Sequence, residues 1–123
     1  MTPGIGLKKF LDPETCWKDW IVRFGSLGKV RAELLRRGVV NEKTGNPPTR
    51  SAIEKAAFMW AADHHEEARK DLEYAWRNAG QILTDEKWRE FIVGAARLAY
   101  HQRPIRFEEF CKKYGFENHN RVS

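Results

Sequence analysis

A short run of polar and cationic side chains directly after two prolines is the part of this sequence best suited to contact an anion. Thr49 is a favourable N-cap residue, and a helix cannot pass through Pro47-Pro48, so a helix is predicted to begin at Thr49. Guanidinium groups bind guanine edges or phosphate, and the free N–H groups of a helix N-terminus favour phosphate. The candidate base-contacting residues in the first turns are Arg50, Ser51, Glu54 and Lys55.

A second run, Asp63-His64-His65-Glu66-Glu67, contains residue types that bind metals. On a helix His64 and Glu67 share a face, but a zinc or iron site needs further ligands at close spacing, and the remaining His and Cys residues are distant in sequence. We therefore interpret the run as a charged, solvated helix start, with Asp63 and Glu66 at the spacing of a capping box.

Catalytic signatures are missing from the sequence. Cys16 and Cys111 each lie near an apolar stripe and are interpreted as small core residues. There is no glycine-rich phosphate loop, no Gly-x-Ser-x-Gly elbow and no zinc-protease helix. We therefore expect a protein that is not an enzyme, with no cofactor, no metal and no small-molecule substrate.

The positive charge is concentrated at the two ends of the chain. The formal net charge is +5; residues 1–50 hold ten Lys/Arg against five Asp/Glu, and residues 101–123 hold five against three. A cationic excess of this kind raises the local concentration of polyanions. No apolar run approaches the length of a membrane span, and the N-terminus lacks the apolar region of a signal peptide, so we expect a cytoplasmic protein without membrane contact.

The periodicity of apolar residues predicts helices and no strand. Helices are predicted from Asp12 to Gly25, from Ser26 to Gly38 and from Thr49 to residue 62, followed by three more that end near Gly80, Pro104 and Gly115. The expected fold is an all-α, compact bundle of five to six helices, with residues 1–115 as one domain and residues 116–123 as a flexible tail. All five tryptophans fall on apolar stripes, so they are expected in the core.

The helices over residues 26–37 and 49–62 have the arrangement of a helix-turn-helix. In that motif a first helix braces a second, whose N-terminal end enters the major groove. The long segment between them contains turn formers, and a short hairpin within residues 39–48 is an alternative. Because residues 56–62 are apolar all round, only the first turn of the second helix is expected to face water. The candidate DNA backbone contacts are Lys29, Arg36, Arg37, Lys43, Asn46 and Thr49.

A recognisable pattern of leucine, glycine and turn-forming residues runs through residues 26–62: Ala32, Leu34, Leu35, Gly38, Val39, Thr44-Gly45, Pro47-Pro48-Thr49 and Ala52-Ile53. This pattern resembles the long-turn helix-turn-helix of serine recombinase DNA-binding regions and of small phage or plasmid regulators. The resemblance covers about 25 residues and lacks the aromatic residue that recombinases often place before the recognition helix, where Pro47-Pro48 stand instead. The resemblance implies binding to double-stranded DNA.

The sequence therefore predicts a non-catalytic DNA-binding protein, acting in transcription regulation or as an accessory subunit of a larger DNA-processing complex. The alternative is a protein–protein interaction module, an inhibitor or an assembly subunit, with no nucleic-acid contact. The mixed charge on the outer face of the helix over residues 63–79 is compatible with that alternative. RNA binding ranks third because no RNA-binding module signature is present.

Overall fold

Helices make up nearly all of the regular structure in the computed structural model, which describes residues 5–6, 11–41 and 43–116. Helix α1 (Pro13–Trp17) continues directly as a π-helical segment (Lys18–Phe24). The remaining helices are α2 (Leu27–Arg36), α3 (Arg50–Asp63), α4 (His65–Asn78), α5 (Asp85–Ala99) and α6 (Pro104–Tyr114). The all-α fold predicted from the sequence is confirmed.

Local capping explains where several helices begin. The side chains of Asp12, Thr49 and Thr84 accept hydrogen bonds from backbone N–H groups three residues later, at 3.3, 3.1 and 3.2 Å. Each of these bonds satisfies one of the N–H groups that lack a partner inside the helix. Gly25 ends the π-helical segment with a φ of 68°, a left-handed conformation that glycine adopts without steric penalty.

Helix α3 is the central element of the core. It packs between α1 and α5, and α2 lies alongside it. Trp17, Ile53 and Ile92, one from each of the three packed helices, are completely buried. Trp17 also stacks on Trp60 of α3, with ring centroids 6.2 Å apart. Burial of these large side chains removes apolar surface from water, which is the main force holding α3 in place.

The aliphatic pair after α2 forms a short parallel strand pairing rather than a hairpin. Strand β2 (Val39–Val40) pairs with strand β1 (Ile5–Gly6), Ile5 opposite Val39. The hairpin considered for residues 39–48 is therefore not what the structure shows. Val39 is buried, as the sequence predicts, but its partner strand comes from more than thirty residues earlier in the chain.

Three further expectations differ from the structure near helix ends. The apolar pattern of α2 predicts a buried face of Leu27, Val30 and Leu34 that Leu35 can extend, but Leu35 is 48% exposed. A new helix does begin after Asp63, but His64 occupies the N-cap position without a side-chain hydrogen bond, so no capping box forms there. Phe116, assigned to the flexible tail, packs against the core within 5.7 Å of the Phe110 ring. The rest of the predicted tail, residues 117–123, lies outside the described residues.

Candidate nucleic-acid interface

The start of α3 is exposed to solvent, and the segment before it is bonded to α2. Thr49, Arg50 and Ser51 are exposed, whereas Pro48 is buried. The Nε–H of Arg31 on α2 donates a hydrogen bond to the carbonyl oxygen of Pro48 at 3.0 Å. This bond ties the segment before α3 to α2, so the two helices present their surfaces as one unit.

The guanidinium of Arg50 reaches back over the first turn of α2. Its Nη2 lies 3.5 Å from the position that a Cβ on Gly28 would occupy. The N-cap residue of α2, Ser26, makes no side-chain capping hydrogen bond. Arg50 therefore lies beside a second helix N-terminus whose first N–H groups receive no side-chain cap.

Neither α2 nor α3 has an acidic residue in its first turn. The N-terminal end of a helix carries a partial positive charge, which acidic side chains usually offset. Among the described residues, Arg50 and the neighbouring exposed Lys29 form no ion pair. The Arg50 guanidinium therefore lies beside the positive end of α2, and no acidic residue of either first turn offsets this charge.

The structure places the other candidate base contacts along one side of α3. Lys55 is exposed one turn after Ser51, and Glu54 is half-buried. Beyond the first turn, Ala56 and Met59 are half-buried rather than fully enclosed. The accessible face of α3 is therefore longer than the all-round apolar sequence predicts, because the neighbouring helices do not cover this side completely.

The candidate backbone contacts divide into two groups. Lys29 is exposed in the first turn of α2, one residue after Gly28, and Thr49 is exposed directly before Arg50. Arg36 and Arg37 lie at the opposite end of α2, about 12 Å further along its axis at the usual rise of 1.5 Å per residue. The structure does not bring these two arginines together with Arg50.

Glu33 holds both arginines at the C-terminal end of α2. Arg36 donates from Nε and Nη2 to the two Glu33 carboxylate oxygens at 2.8 and 2.6 Å, and Arg37 Nε lies 3.4 Å from Glu33 Oε1. Hydrogen bonds from Arg36 lower the pKa of Glu33 to about 2. The two arginines are thus partly neutralised within the protein, which the sequence analysis did not take into account although the i, i+3 spacing is visible in the sequence.

The loop before α3 is braced by its own hydrogen bonds. The backbone N–H of Asn41 donates to the carbonyl of Asn46 at 2.7 Å, and the Asn41 side chain accepts from the N–H of Lys43 at 2.9 Å. The hydroxyl of Thr44 accepts from the N–H of Asn46 at 3.2 Å. Lys43 and Asn46, the two candidate contacts of this loop, are exposed on an ordered turn.

Sequence reasoning missed two residues that shape this surface. Arg31 positions the proline segment, and Gly28 is the residue of the first turn of α2 beside which the Arg50 guanidinium lies. A glycine in the first turn of a helix was a detectable signal, because it is a poor helix former. No signal in the sequence marks the Arg31 contact, because its partner is a backbone carbonyl seventeen residues away.

The histidine and cysteine candidates are used in packing. His65 Nε2 accepts a hydrogen bond from Trp88 Nε1 at 3.2 Å, and its ring stacks on Tyr114 with centroids 4.4 Å apart. The described residues contain no group of His, Cys, Asp and Glu that could hold a metal ion. Burial, with Asp12 and Asp19 nearby, raises the pKa of the Cys16 thiol to about 12, so this thiol stays protonated and unreactive at neutral pH.

Comparison with known proteins gives no relative: no protein-family model, no curated protein and no solved structure matches this chain. In the part of the chain that the structure describes, no helix is both long enough and apolar enough to cross a lipid bilayer.

Proposed function

We propose that the protein binds double-stranded DNA with the N-terminal end of α3, in the manner of a helix-turn-helix formed by α2 and α3. One observation carries the proposal: the exposed Arg50 lies beside the N-terminus of α2, and neither helix has an acidic residue in its first turn. An external phosphate would offset this positive charge.

In this arrangement the first turn of α3 enters the major groove. Arg50 contacts a guanine edge or a phosphate, and Ser51 and Lys55 follow on the same side. Ile53 and Ala57 are buried and hold the inner side of α3 in the core, so only the outer side of its first turns can contact the groove. Recognition in this proposal uses the exposed residues from Arg50 to Lys55.

Phosphate contacts hold the protein on the duplex. Lys29, Thr49 and the loop residues Lys43 and Asn46 are all exposed near the start of α3 or in the segment that leads to it. Arg36 and Arg37 contribute only when they exchange Glu33 for a phosphate. They therefore add less to affinity than their formal charge suggests.

The biological role that fits this proposal is a small cytoplasmic regulator of transcription or an accessory subunit of a DNA-processing complex. This role follows the phage and plasmid regulators that residues 26–62 resemble. No catalytic step is part of the proposal.

The test is a fluorescence-anisotropy titration of mixed-sequence duplex DNA at several salt concentrations. DNA binding predicts that log K falls linearly with log salt, by about 0.9 for each phosphate contacted. Lys43→Ala should reduce this slope by about one, equally on all sequences. Once a preferred site has been selected, Arg50→Ala should weaken binding to it by about 1–3 kcal/mol.

Lys70→Ala serves as the matched control. Lys70 is an exposed lysine on α4, outside the proposed surface, and its loss should leave the salt slope and the affinity unchanged. Absence of any binding to duplex at low salt, or equal losses for Arg50→Ala and Lys70→Ala, would refute the proposal.

A protein partner is the second candidate function, and the exposed apolar side chains favour it. Leu35 on α2 is exposed beside the arginines that Glu33 neutralises, and Ile82 and Ile105 are 79% and 71% exposed. A protein-binding role predicts no duplex binding and a stable complex that Leu35→Ser weakens and Arg50→Ala does not.

A further inference from the structure

A cleft of about 140 Å³ opens between the end of α3, the end of α5 and α6. The buried side chains of Ala62 and Phe110 contribute to its lining. Its polar and aromatic lining is formed by Asp63, Tyr100, Arg106, Glu109, Lys113 and Tyr114. The cleft is built from residues that are distant in sequence, and none of them belongs to the proposed DNA-binding surface.

The cleft carries two charges of each sign that do not neutralise one another. Asp63 and Glu109 supply carboxylates, and Arg106 and Lys113 supply cations. None of the four forms an ion pair with any of the described residues. Glu33, by contrast, is paired with two arginines on the same helix.

Tyr100 organises one side of the cleft. Its hydroxyl donates a hydrogen bond to Asp63 Oδ1 at 2.9 Å, and Arg106 faces its ring, with Cζ 5.6 Å from the ring centroid. Burial and the bond to Asp63 raise the pKa of Tyr100, so the hydroxyl remains a donor at neutral pH. Tyr100 therefore engages one carboxylate oxygen of Asp63, and the same ring faces Arg106, so a carboxylate and a guanidinium both adjoin Tyr100 in the cleft lining.

The second cation is held in a similar way. Lys113 Nζ lies 5.3 Å from the centroid of the Tyr114 ring. Aromatic faces attract cations, so each ring holds a cationic group beside it, although Arg106 and Lys113 are both exposed to water. The result is a small, open recess whose lining combines aromatic rings with charged groups of both signs.

We propose that this cleft binds a small zwitterion of the α-amino acid type, with its carboxylate on Arg106 and its ammonium on Asp63. A simple anion would meet the carboxylates of Asp63 and Glu109, and a simple cation would meet Arg106 and Lys113; a ligand with both charges meets a partner for each. The volume corresponds to about five water molecules at liquid density, which matches a small amino acid such as glycine or alanine and is well below the roughly 300–1,000 Å³ of a drug-sized pocket.

This ligand is absent from the sequence-based expectations, which include no small-molecule substrate. The reason is that Asp63, Tyr100 and Arg106 are brought together by the packing of three helices. The proposal is independent of DNA binding, and the two can fail separately.

The experiment is an NMR titration of the full-length protein with glycine and L-alanine, following the amide signals of Asp63 and Arg106 and the ring signals of Tyr100. The expected result is a saturable shift of these signals. Acetate and methylammonium, each carrying half of the ligand's charge and tested at equal ionic strength, should bind at least about tenfold more weakly, because each loses one charge-assisted contact.

Two conservative variants identify the contacts. Asp63→Asn keeps an oxygen that can accept from Tyr100 and removes only the charge; Arg106→Gln removes the guanidinium and its charge and keeps a shorter, neutral polar side chain. Each should weaken zwitterion binding about tenfold or more. Lys112→Gln, on α6 but outside the cleft lining, is the control and should change nothing.

Three results would overturn the proposal. The first is the absence of a saturable shift with glycine and with L-alanine. The NMR spectra of the parent protein and the variants show in the same experiment that each is folded. The second is binding of acetate as tight as that of glycine, which would indicate an anion site. The third is an equal effect of Asp63→Asn and Lys112→Gln.

Discussion

Helices α3 and α5 begin with the same cap and opposite charges. Thr49 accepts from the N–H of Ala52 at 3.1 Å, and Thr84 accepts from the N–H of Lys87 at 3.2 Å. After the cap, α3 continues with Arg50-Ser51 and α5 with Asp85-Glu86. Two helix starts with matched geometry therefore differ mainly in the charge placed at the positive end of the helix dipole.

The two helix starts differ in whether their charged residues have partners inside the protein. Asp85 pairs with Arg69 of α4 and so joins two helices inside the protein. Arg50 has no carboxylate partner among the described residues and lies beside the start of α2. Acidic residues stabilise a helix N-terminus by about 0.3–1 kcal/mol, so their absence from α3 forgoes stability there.

The largest expected effect tests whether the two helices are equally anchored. Ile53 on α3 and Ile92 on α5 are both completely buried. Ile53→Ala and Ile92→Ala should each lower the free energy of unfolding by about 2–5 kcal/mol through lost burial and a cavity. Urea unfolding at pH 7 measures both. A loss below about 1 kcal/mol for Ile53→Ala alone would show that α3 is not the anchored helix described above.

The second prediction removes the difference in charge. The double variant Arg50→Asp/Ser51→Glu gives α3 the acidic start of α5 and should reduce duplex binding by at least about 100-fold, since it replaces attraction to phosphate by repulsion. Stability should stay equal or rise by a few tenths of a kcal/mol for each acid. Anisotropy and urea unfolding measure the two effects. A variant that binds duplex as tightly as the parent would contradict the role given to Arg50.

The third prediction compares the two caps. Thr49→Ala and Thr84→Ala should each destabilise the protein by about 1 kcal/mol, because each leaves one backbone N–H without its side-chain partner. Thr49→Ala should also weaken duplex binding, whereas Thr84→Ala should not. Thermal unfolding and anisotropy on the same samples separate the effects. Equal binding losses for both would mean that they arise from general destabilisation.

The smallest expected effect is a pH dependence of the unfolding free energy that arises from His65, which contacts Trp88 of α5. Burial and the nearby Arg69 charge lower the pKa of His65, while Glu66 opposes the shift. The neutral ring accepts from Trp88, so the contribution of His65 to stability is complete above its unfolded pKa of about 6.5 and is lost as pH falls through the lower folded pKa. His65→Gln should remove this component from the difference in unfolding free energy between pH 7.5 and 5. If the unfolding free energy of His65→Gln changes with pH as much as that of the parent protein, groups other than His65 cause the pH dependence.

The helices were predictable because their signals are local. Thr49 and Thr84 mark helix starts within four residues of sequence, and Gly25 and Gly115 end helical segments with positive φ. The burial of Cys16 and Cys111 followed from the neighbouring apolar stripes. Such features need no knowledge of the rest of the chain.

The missed features depend on distant partners. The β1–β2 pairing joins Ile5 to Val39, and the Arg31–Pro48 bond joins a helix to the segment that follows it. The exposure of Leu35 depends on where the neighbouring helices end, since its position on α2 is compatible with burial. The Glu33–Arg36 pair is an exception, because its helical spacing made it predictable from the sequence alone.

By itself, the sequence determined the helices, their caps and the absence of acidic residues from the first turns of α2 and α3. Only the tertiary structure decided that Arg50 lies over Gly28 and that Asp63, Tyr100 and Arg106 share one cleft. The physical reason is range: capping and periodicity act over a few residues, whereas the position of a side chain relative to another helix is set by how the buried faces of all the helices pack together.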